Sequence, residues 1–166
     1  IIDGRDYPLR SVAEPSKEKS LRGAKDGFVE AMMMNIALLR RRIRDNALIF
    51  KIYAVGDVTK TDVALTYMKD RADQDMVKKM DQTLKQLRLR GLTVTEQTLV
   101  EALTGKKLSW CNPFPKVRYS QRPDIIAAHV EEGKLAVIVD NSPTVILLPA
   151  GIFDFLQDID DYYFPL

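Results

Sequence analysis

The chain has 166 residues, room for one ordinary domain or two very small ones. Its 46% hydrophobic and 29% charged residues make a globular composition that excludes a disordered chain, and the core can bury roughly two-thirds of the unfolded surface. One Cys excludes an internal disulfide, one His excludes a His-rich metal site, and 25 Lys and Arg against 23 Asp and Glu are too balanced to mark a nucleic-acid binder.

In chain order, Ile1–Val12 reads as two short strands around the turn Asp3-Gly4-Arg5-Asp6. Glu14–Leu21, polar and without apolar period, reads as a linker. A long helix is predicted from Lys25 to Arg44. Its stripe is Phe28, Met32, Ile36, Leu39 and Ile43, with Asp26 and Glu30 in the first turns and Arg40, Arg41, Arg42 and Arg44 in the last. Leu48–Val55 and Thr61–Met68 are strand-like and joined by a Gly56–Lys60 turn, an antiparallel hairpin. A second long helix spans Asp73–Arg90 with the stripe Met76, Val77, Met80, Leu84 and Leu87, stopped by Gly91. Asp75/Lys79 and Asp81/Lys85 are its favourable pairs four residues apart. Thr93–Glu96 opens a short helix with a capping-box pattern.

Leu108–Pro115 is irregular, because two prolines two apart forbid a helix and disfavour a central strand. Lys116–Tyr119 reads as a short strand. Pro123 suits the first position of a helix whose apolar face is Ile125, Ile126, His129 and Val130 and which closes at Gly133. Leu135–Asp140 and Thr144–Pro149 form another hairpin, followed by a last helix near Ile152–Gln157. The fold class is therefore α/β in the α+β sense: a mixed sheet with antiparallel hairpins, packed by two long and several short helices. Ile1-Ile2-Asp3-Gly4 echoes Ile138-Val139-Asp140-Asn141, which assigns residues 1–13 to an upstream subdomain of related design, 14–24 to a linker and 25–166 to the main subdomain.

The ends suggest a piece of a longer protein, with an apolar segment of bilayer-spanning length expected soon after Leu166. Charge is also uneven. All Lys and Arg lie at or before Lys134, and Asp140, Asp154, Asp158, Asp160 and Asp161 follow it. This reads as a basic body with an acidic end, or as an oriented interaction surface.

No catalytic motif is present. The eight Gly are scattered and form no phosphate loop. Cys111 and His129 would have to meet to make a nucleophile, and the simpler readings are a small buried hydrophobe and a packed, hydrogen-bonded His. Asp158, Asp160 and Asp161 lack the Gly and downstream Glu of a calcium loop. No metal or cofactor is expected. Arg40, Arg41 and Arg42 sit about 100° apart on a helix, so they cannot line one groove-facing strip, and no aromatic residue interleaves with them. Helix-end compensation with salt bridges explains them, before an acidic protein partner or anionic lipid headgroups. Asn112–Pro115 through Arg122-Pro123-Asp124 reads as a rigid ledge anchored by Trp110 and Phe114, with Arg118 or Arg122 partly exposed toward another subunit.

Four ordered blocks resemble the spore germinant-receptor A-subunit (GerA) family. The first is Arg22-Gly23-Ala24-Lys25-Asp26-Gly27-Phe28 with Asn35 and Arg40-Arg41-Arg42-Ile43. The second is Val55-Gly56 with Lys60–Ala64 and Tyr67. The third is Asn112-Pro113-Phe114-Pro115 through Arg118 and Tyr119 to Arg122-Pro123-Asp124. The fourth is Gly133 through Asp140 and on to Pro149. Ala24, Asp26, Ser120-Gln121 and Asn141 depart mildly from the family's Pro, Glu, Thr-Glu and Gly; Asn tolerates the positive φ of a hairpin turn.

The resemblance implies a soluble, non-enzymatic regulatory or assembly domain of a polytopic spore inner-membrane germination protein, a receptor or ion-channel subunit, on the cytoplasmic or spore-core side. Its partners would be other germination membrane proteins and further copies joined through the membrane region, with no nucleic acid. The alternative is a module that binds a small nutrient germinant. Arg22, Gly23, Gly27, Asn35, Arg40, Arg41, Arg42, Asn112, Pro113, Pro115, Arg118, Arg122, Pro123 and Asp124 are the interface candidates this resemblance supplies.

Overall fold

The computed structural model describes residues 26–56, 61–89 and 116–150. In chain order these form α1 (Met32–Arg42), β1 (Leu48–Val55), β2 (Thr61–Met68), α2 (Gln74–Leu89), β3 (Lys116–Ser120), α3 (Pro123–Glu131), β4 (Leu135–Val139) and β5 (Val145–Ala150). The α+β class holds. The strand-like pieces at 1–12, the linker, the helices near 93–96 and 152–157 and the Asn112–Pro115 half of the ledge lie outside the described residues.

The five strands make one sheet in the order β1-β2-β4-β5-β3. The mixed sheet expected from the sequence is antiparallel at each of its pairings. Consecutive strands pair antiparallel in β1–β2 and β4–β5, and β2 meets β4 in the same antiparallel sense. β3 and β4, joined by α3, run the same way but are not neighbours, because β5 lies between them. Asn141, at φ 64°, makes the left-handed step of the β4–β5 turn.

Alternation along the strands builds two cores, one on each face of the sheet. Val63, Leu65 and Tyr67 point with Val137, Val139, Ile146 and Leu148 toward Val77, Met80 and Leu84 of α2. Ala64 and Met68 point with Ala136, Ile138, Val145 and Leu147 toward Leu38, Leu39 and Ile43 at α1 and Ile126, Ala127 and Val130 of α3. Both faces of β4 are buried along its whole length, which explains its unbroken apolar sequence.

One boundary differs from expectation. The first helix begins at Met32, not near Lys25, and the residue before it, Ala31, is extended at φ −81° and ψ 112°. Residues 26–31 spend their backbone on distant partners. The Phe28 N–H donates to the Gln121 carbonyl at 2.9 Å, and the Glu30 carbonyl accepts the Asn141 N–H at 2.8 Å. Asp26 and Glu30 therefore lie outside the helix. α2 and α3 keep their expected bounds to within a residue or two. Asp73 caps α2 by accepting the Asp75 N–H at 2.9 Å, and Pro123 occupies the start of α3. On α2 the Asp81–Lys85 pair forms at 2.6 Å, while Asp75 reaches Lys78 rather than Lys79.

Candidate interaction surface

The N-terminal end of α1 is braced twice. Asn35, fully buried on the helix, accepts the Val29 N–H through Oδ1 at 2.8 Å and donates Nδ2 to the Val29 carbonyl at 2.6 Å. Its side chain thus imitates a strand partner for the extended segment ahead of the helix. The second brace comes from the β4–β5 turn, where Asp140 Oδ1 accepts the Met32 N–H at 3.0 Å. That carboxylate satisfies an orphan amide at the positive end of the helix dipole. Gly27 is buried in the same segment.

At the other end of α1 the three arginines part company, as their 100° spacing requires. Arg42 turns inward, 18% exposed, and donates to Asp26 at 2.5 Å. Arg41 is 67% exposed and reaches the other oxygen of Asp26 at 3.3 Å. The Arg42 hydrogen bond, aided by the two guanidinium charges and opposed by burial, holds the Asp26 carboxyl below its ordinary value. Arg40 bonds two backbone carbonyls instead, of Asp45 at 3.0 Å and Leu48 at 2.9 Å, and lies 5.1 Å from the centre of the Phe50 ring.

The expected ledge is split by the fold. Residues 116–120 form β3, the short strand expected there. Of the two arginines expected to include a part-exposed one, Arg118 is buried, only 3% exposed, and Arg122 is the part-exposed one. The Arg118 guanidinium, which can only donate, lies 3.1 Å from Nε2 of His129, whose Nδ1 is 3.0 Å from the Glu132 carboxylate. His129 is thus a packed, hydrogen-bonded histidine at the end of α3. Arg122 and Asp124 clasp each other through two bonds, at 3.1 and 2.5 Å, across Pro123. Burial pushes the Asp124 carboxyl up, but the Arg122 bonds and charge and the Ile125 amide outweigh it and leave it below the ordinary value. Arg22, Gly23, Asn112, Pro113 and Pro115 lie outside the described residues.

The sequence reading missed two groups. Asp140 was visible as a strand-end and family-block residue but not as a helix cap, because its partner Met32 is 108 residues away. On the α2 face of β1, the Tyr53 hydroxyl donates to Asp81, which also holds Lys85 at 2.6 Å and Lys51 at 3.8 Å. The two hydrogen bonds, from Lys85 and then from Tyr53, lower the Asp81 carboxyl, while burial and the Asp81 bond raise the Tyr53 hydroxyl. The i,i+4 pair was legible, but its joining to β1 was not.

The polar side chains of this site are turned on the chain itself. Among the described residues no group of three or more His, Cys, Asp or Glu is placed to hold a metal, and no helix is long and apolar enough to cross a membrane. The arrangement defines an α+β domain with tied helix ends. A sequence model of the Bacillus/Clostridium GerA spore germination protein family matches residues 1–166, and the chain belongs to that family. It is 45% identical over 162 residues to stage V sporulation protein AF of Bacillus subtilis, covering 98% of this chain and 32% of that protein. It is 34% identical over 154 residues to spore germination protein A1 of Bacillus subtilis, covering 93% and 31%. The chain thus spans about a third of the length of these curated relatives. The crystal structure of the N-terminal domain of the A subunit of the Bacillus megaterium spore germinant receptor GerK3 superposes with a TM-score of 0.57 at 30% identity, over 76% of this chain and 97% of that one.

Proposed function

We propose that this chain is a non-enzymatic assembly and regulatory domain of an A-subunit-type germination protein of the spore inner membrane. It lies on the spore-core side and works beside other germination proteins and further copies of its parent. Residues 25–166 form the subdomain that precedes the membrane region, 14–24 the linker, and 1–13 strands of an upstream subdomain.

One observation carries this reading. Motif residues Asn35, Arg42, Arg122 and Asp124 hold helix ends and the segments that lead into them, rather than converging on a common point where a substrate could sit. Such residues give a rigid body, and rigidity favours association by reducing the ordering cost of binding. The test is co-purification of the epitope-tagged parent from spore membranes after crosslinking, with and without residues 26–150. The expected outcome is that germination proteins cease to co-purify while the parent stays in the membrane. An unchanged set of co-purifying proteins would overturn the proposal. The alternative, a nutrient-binding module, expects amino acids or sugars to raise the melting temperature of the chain, and the assembly reading expects no shift.

A further inference from the structure

β1 is an edge strand, eight residues long and paired with β2 alone among the described residues. Leu48 fixes which groups face outward. Its N–H donates to the Asp45 carbonyl at 3.2 Å and its carbonyl accepts Arg40 at 2.9 Å, so both point away from β2. In an antiparallel pair this sense alternates, which turns the N–H and C=O groups of Phe50, Ile52 and Ala54 outward as well. Unlike Leu48, these three carry no hydrogen bond on that side among the described residues. Natural edges of this length are usually blunted by proline, a bulge or a cover. Here the strand has no proline and keeps an unbroken register from Leu48 to Val55.

The side chains beside this edge are apolar on one face and cationic at its borders. The two large hydrophobic residues that stand exposed among the described residues are Ile52, at 52%, and Met33, at 65%. Ile52 shares its face of the sheet with Phe50. Met33 lies two turns before Arg40 on the same side of α1, and Arg40 meets the Phe50 ring beside Ile52. On the opposite face Lys51 and Lys85, 43% and 64% exposed, share the single carboxylate of Asp81. Among the described residues Arg40 has carbonyl partners and an aromatic ring but no carboxylate. Among the described residues the edge therefore offers unpaired backbone, an apolar strip and surplus positive charge.

We propose that β1 is a docking edge for an extended segment of another protein chain in which apolar and acidic residues alternate. The segment would add as a sixth strand. Its apolar side chains would cover Ile52 and the part-exposed Phe50 beside it, and its carboxylates would face Lys51 and Lys85. This names the kind of partner for the assembly role proposed above and rests on that role.

The test uses the 166-residue chain and a fluorescein-labelled, end-capped peptide in which Phe or Ile alternates with Asp over seven residues. Binding is read by anisotropy, and contact by the amide signals of Phe50, Ile52 and Ala54. Saturable binding that protects these amides, and that weakens at least tenfold in Ile52→Pro, is expected. Ile52→Pro removes an outward N–H and leaves the β2 ladder intact. Lys51→Glu serves as a second variant that keeps every backbone donor; it should weaken binding and remove most of its salt dependence. No binding up to about 1 mM peptide would overturn the proposal. So would equal binding by a peptide with Lys in place of Asp, or binding that leaves the three amides unprotected. Those outcomes would leave the co-purification result standing, whereas loss of co-purification dependence with intact peptide binding would sink only the assembly role.

Discussion

Asn35 holds both backbone groups of Val29, the N–H at 2.8 Å and the carbonyl at 2.6 Å, and both residues are buried. An Asn has one acceptor and two donors at the end of a short side chain, so it satisfies an extended residue on both sides at once. Neither Asp nor Leu of the same size can do this. Asn35→Leu is expected to leave two buried polar groups unpaired and to lower stability by about 2–4 kcal/mol. Asn35→Asp should be as damaging, because a carboxylate would face the Val29 carbonyl. Urea denaturation of the chain measures both. A loss below about 0.5 kcal/mol in either variant, the range of ordinary surface changes, would show that the brace is dispensable.

That brace also explains how much of the fold was legible. Both hairpins and α2 and α3 could be read because a period of 2 or 3.6 is punctuated by Gly56, Asp73, Pro123 and Gly133, all local signals. The start of α1 could not. Asp26 and Glu30 look like residues of a first helical turn, and the partners that pull this stretch straight, Gln121 and Asn141, are far along the chain. Arg118 shows the same limit. Either Arg118 or Arg122 reads as part-exposed beside a proline-rich stretch, and only the pairing of β3 with β5 decides that Arg118 is the buried one. Of the candidate site, the motif residues and the salt bridging of the arginine run were legible, whereas the Asn35–Val29 brace and the Arg122–Asp124 clasp were not, since a side-chain hydrogen bond leaves no periodic trace.

Acid should weaken this domain. The carboxyls of Asp26, Asp81 and Asp124 are all held below their ordinary value of 3.8 in the folded chain. A carboxylate lowered on folding contributes stability that is complete above the unfolded value and is lost as pH falls through the folded one. Denaturation midpoints should therefore be flat near neutral pH and fall steeply below about pH 4. The double variant Asp26→Asn with Asp124→Asn should start less stable and decline less. If it declines as steeply as the unmodified chain, these two carboxylates do not set the acid limb.

Gly133 ends α3 at φ 97°, a conformation that side chains with a Cβ rarely adopt. It also meets the Arg71 backbone. A Cβ at this position would lie 2.7 Å from the Arg71 carbonyl oxygen, and Arg71 is tied in turn to the Glu131 carbonyl at 2.8 Å. Both strain and contact therefore oppose a side chain. Gly133→Ala should cost about 1–3 kcal/mol, with the larger part of the loss expected if the α3–β4 turn cannot shift away from Arg71. Thermal unfolding with calorimetry tests it, and an unchanged or raised melting temperature would mean that the turn relaxes freely.

Arg41 and Arg42 are adjacent in sequence and share one carboxylate, yet they should differ sharply when removed. Arg42 is mostly buried and binds Asp26 at 2.5 Å, tying the last turn of α1 to the extended segment ahead of it. Arg42→Ala should lower stability by about 1.5–3 kcal/mol, the usual worth of a hydrogen bond to a charged group. Arg41 is 67% exposed, at 3.3 Å, and solvent screens it. Arg41→Ala should stay within about 0.5 kcal/mol. The measurement is urea denaturation of each variant at low and at high salt. High salt should shrink the Arg41 effect to nothing and leave most of the Arg42 effect in place, because the inward pair is shielded from ions. If Arg41→Ala destabilises as much as Arg42→Ala, the run of three arginines acts as one electrostatic cap on the helix end. Arg41 would then be a structural residue rather than one left free at the surface for a partner.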